Sequence, residues 1–164
     1  MKILPSIALF FIFCLVQVTQ STNIQEITMK LSSFFTHKRI LVTGGAGFIG
    51  SHLCEKLVEY GAYVTILDNL STGHIENINV IQDKVTLVIG DINDPLACFT
   101  ATHNIDYVFH LAAFVSVPLS VEHPELCHNI NVNGTFNILN AARINKVKRV
   151  IFSSSSAVYG ITHK

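Results

Sequence analysis

The sequence predicts an α/β fold, a doubly wound parallel sheet cut off after about five strands. Three observations carry that expectation. Short runs that are apolar throughout recur along the chain and alternate with segments of helical spacing. The first such run ends in a turn rich in glycine that opens directly into a helical pattern. The later runs each end in polar or very small residues, at the edge where sheets of this kind bind ligands. Strands buried on both faces read as unbroken apolar runs, which marks the sheet as parallel and covered by helices on either side.

In order, residues 39–43 (RILVT) form the first strand, and residues 48–60 place Ile49, Leu53 and Leu57 at helical spacing before Gly61 stops the helix. Residues 62–68 are the second strand, followed by a polar stretch, NLSTGHIENINV. Residues 84–90 are the third strand, and Asp94-Pro95 opens a short helix. Residues 106–112 are the fourth strand. A longer helix is expected over about 124–145, with Val132, Phe136, Leu139 and Ala142 on one face. Residues 149–154 close the series, and the strand order expected is 3-2-1-4-5.

Composition narrows the class. Of 164 residues, 49% are hydrophobic and 13% charged, and 11 Lys+Arg balance 11 Asp+Glu. That describes one globular domain with no long-range pull toward nucleic acid or anionic lipid. Cys54, Cys98 and Cys127 lack metal-binding spacing and read as small buried apolar residues, with no metal site expected. Residues 1–28 stand apart: Lys2, an apolar run from Ile7 to Val18, then Thr19, Ser21 and Thr22. This is the layout of a signal-like or anchor-like leader. Met29 offers the other reading, a second start for a chain without that leader. The Asn69 and Asn133 acceptor sequences (NLS, NGT) weigh on the side of the cytoplasm, because glycans would block a ligand at one and a packed helix at the other; the alternative is the secretory pathway.

The turn "TGGAGFIGSH" supplies Gly44, Gly47 and Gly50. Gly44 permits the tight turn, Gly47 lets backbone approach a pyrophosphate, and Gly50 lets helix and sheet pack closely. The helix N-terminus then offers N–H groups and partial positive charge to phosphates. Asp68, at the end of the second strand, can accept hydrogen bonds from adenosine ribose hydroxyls and would repel the extra phosphate of NADP. Turns also favour Asp-Asn, which is the other reading of Asp68-Asn69. Together these residues predict a Rossmann fold that binds NAD. Small residues at Ala112 and Ala113 would let a flat cofactor lie against backbone.

Six stretches in order, TGGAGFIGSHL, LDNLSTG, GDI, HLAAFVSVPLSVEHP, NVNGTFNIL and FSSSSAVYG, resemble the extended short-chain dehydrogenase/reductases. The likeness is to the NAD-dependent epimerase/dehydratase branch that acts on nucleotide sugars, the UDP-glucose 4-epimerase type, and covers about residues 38–160. It implies Gly44, Gly47, Phe48 and Ile49 under the pyrophosphate, with Gly50 behind them. It implies Asp68 and Asn69 on the ribose, Asp91 and Ile92 on the adenine, and Leu111, Ala112 and Ala113 beside the nicotinamide half. Asn131 would support the hydrogen bonds of the cofactor site, Ser116 and Val117 would meet the nucleotide sugar, and Ser155 would be the catalytic hydroxyl. It also implies a homodimer. The family's Tyr-x-x-x-Lys base does not occur in this sequence; Tyr159 is followed four places on by His163. The C-terminal substrate domain is likewise expected to be absent, so the chain alone is expected to be inactive. A catalytically inactive NAD-binding module is the alternative function.

Overall fold

A computed structural model describes residues 24–160. Most of the expected leader and His163 therefore lie outside the described residues. Five strands, β1 (Arg39–Thr43), β2 (Tyr63–Asp68), β3 (Val85–Ile89), β4 (Tyr107–His110) and β5 (Arg149–Phe152), form one sheet in the order β3-β2-β1-β4-β5. Every pairing is parallel, and the register sets Thr43 level with Leu67 on one side and His110 on the other. The chain winds outward from β1 in one direction to β3, then returns to wind the other way. The switch point therefore lies between the C-termini of β1 and β4, the place where doubly wound sheets bind ligands.

Alternate residues of each strand feed two cores. Ile40, Val42, Val64 and Ile66 face α2 (Phe48–Glu59) and a 3-10 segment (Ile75–Lys84), where Cys54, Leu57, Ile78 and Ile81 meet them. Leu41, Leu67 and Val108 face α3 (Pro95–Ala101) and α6 (Thr135–Ile144), where Cys98, Ala101, Ile138 and Ala141 complete the packing. Burial on this scale stabilises each fully buried aliphatic side chain by roughly 1.5–3 kcal/mol. Burial pushes the Cys98 thiol up to about 11 and the Cys54 thiol further still.

The structure departs from the sequence reading in four places. The polar stretch after β2 is the 3-10 segment, held because Ile78 and Ile81 are buried. A helix, α1 (Ile24–Phe35), precedes β1, and Phe35 packs against Tyr60 and Phe109. It runs through residue 28, so the expected leader boundary falls inside one helix. The loop after β4 contains a short helix, α4 (Val117–Glu122), capped by Ser116.

The fourth departure concerns the long helix. It is helical throughout but divided into α5 (Pro124–His128), a π turn over Asn129–Gly134, and α6. Val132, Phe136 and Leu139 are exposed, at 51%, 64% and 46%, so only Ala142 of the expected face is buried. Small residues explain the change. A Cβ on Gly134 would come within 2.6 Å of Ile92 Cδ1, so the glycine lets the helix press onto the sheet along Gly134, Ile138 and Ala141. Asn133, expected in a packed position, is also exposed. Among the described residues no helix is long and apolar enough to cross a membrane.

At the opposite edge of the sheet, Asp106 ties three strands together. Its Oδ2 accepts from the Arg39 backbone N–H (3.0 Å) and from Arg39 Nε (3.1 Å), and its Oδ1 accepts from Lys148 Nζ (3.0 Å). The Arg39 hydrogen bonds hold the Asp106 carboxyl well below the usual carboxylate range. A depressed folded value means stabilisation that is full above the unfolded value near 3.9 and lost as pH falls below it. Asp106→Asn should therefore lower the unfolding free energy at pH 7 by about 1–3 kcal/mol, toward the lower figure because both cations are half exposed. Urea titrations at pH 7 and pH 3 check it; the gap between the two proteins should shrink in acid.

Candidate dinucleotide site

The β1–α2 turn is built by steric necessity. Gly44 has φ +70°, and a Cβ there would lie 2.8 Å from the Ala112 nitrogen. At Gly50 a Cβ would lie 2.1 Å from the Gly44 carbonyl oxygen, so only glycine brings α2 this close. Gly47 differs. Its φ is −74°, and the sole near neighbour of a Cβ would be the Gly44 oxygen at 3.2 Å. The fold asks less of Gly47 than of Gly44 or Gly50: a Cβ there needs the Gly44 carbonyl to give by only a few tenths of an ångström. Gly47 is also the N-cap of α2 and offers no side-chain cap. The first i→i−4 bond runs from Ser51 N–H to Gly47 O, so the amides of Phe48, Ile49 and Gly50 precede the helix ladder, and those of the exposed Phe48 and Ile49 can meet an anion. Phe48 is 65% exposed beside them.

Asp68 closes the other side. Its Oδ2 accepts the Ala46 N–H at 2.9 Å and its Oδ1 the Leu70 N–H at 2.9 Å. The turn-forming and ligand-facing readings of Asp68 thus coexist: each oxygen takes one backbone donor, and each keeps lone-pair capacity for a hydroxyl. Gly73 backs the carboxylate, since a Cβ there would sit 3.0 Å from both oxygens. Next door, Asn69 Nδ2 donates to Asp91 Oδ2 at 2.8 Å, joining the exits of β2 and β3. Ile92 is buried in the core, so only its backbone reaches this edge; its carbonyl accepts from Asn137 Nδ2 at 3.0 Å.

Thr43 and His110 fix the β4 exit. Thr43 Oγ1 accepts the N–H groups of Leu111 and Ala112, both at 3.2 Å, and lies 2.7 Å from His110 Nδ1. The hydroxyl proton is then left to donate to Nδ1, which puts the ring proton on Nε2, 3.0 Å from Thr135 Oγ1. One helical turn before Thr135, Asn131 Oδ1 accepts the Phe114 N–H at 2.8 Å and its Nδ2 donates to the Phe114 carbonyl at 3.0 Å. Asn131 therefore steadies the loop that contains Leu111, Ala112 and Ala113. Both Asn131 and Thr135 lie in or just after the π turn, the kind of helix irregularity that re-aims side chains at sites.

The remaining candidates sit around the same edge. Ser116 Oγ accepts from Leu119 N–H at 3.4 Å as the α4 cap, and Val117 is exposed at 75%. Ser155 lies beyond β5, which is level with His110 through the Phe152 pairing, and is exposed. The structure thus brings Gly44, Gly47, Asp68, Asn69, Asp91 and Ala112 to the C-terminal edge of the sheet, with Ser155 at the β5 side of that edge. Thr43, Gly45, Gly73, Asn77, His110 and Asn137 were not among the sequence candidates. For Thr43 and His110 a signal existed: each is a polar residue ending an apolar strand.

The model of the NAD-dependent epimerase/dehydratase family matches residues 40–164. A Methanocaldococcus jannaschii protein described as a putative UDP-glucose 4-epimerase is 47% identical over 123 residues, 74% of this chain and 39% of its own length. A UDP-N-acetyl-alpha-D-glucosaminuronate decarboxylase from Bacillus cytotoxicus is 43% identical over 123 residues, 75% of this chain and 38% of its own length. Among solved structures, a Stenotrophomonas maltophila UDP-glucose 4-epimerase with bound NAD and formylated UDP-arabinopyranose superposes with a TM-score of 0.72 at 35% identity, covering 78% of this chain and 40% of that one. The chain spans about two fifths of the length of each of these three proteins.

Two outcomes follow from the geometry. Gly50→Ala should prevent the native turn, while Gly47→Ala should leave the melting temperature within a few degrees of the parent, as differential scanning fluorimetry would record. Burial lowers His110 from 6.5 to about 4, so the folded state resists its protonation. Stability should be flat above pH 6.5 and decline between pH 6.5 and 4, by at most about 3 kcal/mol. Urea midpoints across that window should show the decline, and His110→Gln should flatten it.

Proposed function

The chain belongs to the NAD-dependent epimerase/dehydratase family, and on that premise we propose that it is the cofactor-binding portion of a nucleotide-sugar epimerase or dehydratase of the UDP-hexose class. The observation that carries this reading is the Asp68–Ala46 hydrogen bond, which joins the acid to the glycine turn at the switch point of the sheet. The residues present fit NAD: a glycine without a side chain at the helix entry, an uncapped helix N-terminus, and an acid with acceptor capacity left on each oxygen. When bound, NAD supplies reversible hydride transfer at a sugar carbon.

In this reading the chain's own residues bind and orient. The first-turn amides of α2 hold the pyrophosphate, Asp68 and Asn69 the adenosine ribose, and Asp91 with the Ile92 backbone the adenine edge. Leu111, Ala112 and Ala113 flank the nicotinamide half, on a loop steadied by Asn131. Ser116 and Val117 face the nucleotide sugar. Ser155 donates a hydrogen bond to the reacting sugar oxygen, where a hydroxyl favours a developing negative charge. A domain of residues 38–160, a cytoplasmic location and a homodimer complete the proposal. Exposed Val132, Phe136 and Leu139 support the dimer as apolar surface available for a second copy.

Calorimetric titration of the chain with NAD and NADP tests the reading. NAD should bind more tightly, since the Asp68 carboxylate repels a 2′-phosphate. Asp68→Ala should weaken NAD binding, because two backbone N–H groups lose their acceptor, and should narrow or reverse the NAD preference. Gly47→Ala should weaken NAD binding about tenfold or more with its fold intact. Equal or tighter NADP binding by the unaltered chain would rule the reading out.

A further inference from the structure

We propose that Asn77, on the 3-10 segment, is a positioning residue for the dinucleotide cradle, an inference that rests on the cofactor reading above. Ala46 is fully buried between Gly45 and Gly47. Its N–H donates to Asp68 Oδ2 at 2.9 Å. Its carbonyl accepts two hydrogen bonds, from Asn77 Nδ2 at 2.7 Å and from the His74 N–H at 3.1 Å. The acceptor is a carbonyl, so only the amide nitrogen of Asn77 can serve as partner. Asn77 itself is largely exposed, so it contributes this bond far more than it contributes packing.

The Ala46 carbonyl belongs to the peptide plane that continues into Gly47 and α2. Gly47 N–H closes the turn on the Gly44 carbonyl at 3.1 Å, and the Phe48 and Ile49 amides come next. With glycines on both sides, local backbone preference alone holds this plane weakly. Asn77 in the 3-10 segment and His74 just before it draw the carbonyl dipole away from the ligand side, which leaves the Phe48 and Ile49 amides to face it. Without the Asn77 bond the plane keeps the Gly44 and His74 bonds but loses its shortest tie, and any turn of the carbonyl toward the ligand side would present partial negative charge to a phosphate. Asn77 thus sets the sign of the electrostatic surface that the phosphates meet, from a position that need not touch the ligand.

The experiment compares Asn77→Leu, which keeps the shape and removes the donor, with Asn77→Gln, which keeps an amide donor one methylene further out. Calorimetry on the full chain reads NAD affinity, and scanning fluorimetry reads stability without ligand. Asn77→Leu should weaken NAD binding about tenfold, with Asn77→Gln between it and the parent, and the Gly47 and Phe48 amide resonances should move in Asn77→Leu. A stability-only role would lower the melting temperature of Asn77→Leu and leave its NAD affinity at the parent's value; that result overturns the proposal. Equal weakening by Leu and Gln overturns it too. If the unaltered chain binds no NAD, the cofactor reading fails and this inference with it; if the parent binds and Asn77→Leu binds equally, only this inference fails.

Discussion

Everything at the C-terminal edge of the sheet depends on how close α2 comes to the end of β1. The Gly44 carbonyl occupies the space where a side chain on residue 50 would begin, at 2.1 Å. That contact sets the helix axis, and the axis sets where its first amides aim. Gly45 extends the same requirement, since a Cβ there would lie 2.7 Å from Ile66 Cγ2. On the far side, Gly44 is pressed against the Ala112 backbone. One turn therefore fixes a helix, a neighbouring strand exit and its own strand at once. Put a side chain at any of these contacts and the pieces must separate, furthest at Gly50, which an interior packed to crystal-like density does not absorb.

A second layer of control comes from asparagine and threonine side chains that reach across loops. Asn131 holds Phe114, Thr135 holds His110, and Asn137 holds the Ile92 and Asn93 carbonyls, all from the helical stretch that ends in α6. Asn145, just beyond it, bonds Phe99 and Thr102. Strand exits are the parts of a sheet that have run out of ladder partners, so their backbone groups need donors and acceptors from elsewhere. Here neutral side chains supply them, and that edge is shaped with little fixed charge apart from Asp68 and Asp91.

The sheet order and the main elements were legible because each strand is a mainly apolar run and several boundaries carry glycine or proline, among them Gly44, Gly61, Gly90 and Pro95. The glycine turn and Asp68 were legible because steric and charge requirements leave a mark on residue identity. Other features leave no such mark. The 3-10 segment has a mostly polar sequence, and Ile78 and Ile81 declare their burial only once α2 is in place. The buried face of α6 was misread because the π turn shifts the register and because glycine and alanine, not the bulky residues, make the closest contacts. Asn77 and Asn137 bond to backbone carbonyls that any residue would offer, so nothing at the receiving end of either bond is written in sequence.

Cys54 lies in α2 against the underside of the glycine turn, with its sulfur 3.3 Å from where a Gly45 Cβ would be. It is fully buried, and burial keeps its thiol protonated through the whole neutral range. A thiol in that state is inert toward alkylating reagents until the packing above it opens. Its rate of labelling is therefore a clock for the breathing of the turn, read from a native atom with no dye attached. A molecule that settles on the turn and closes it would slow that clock.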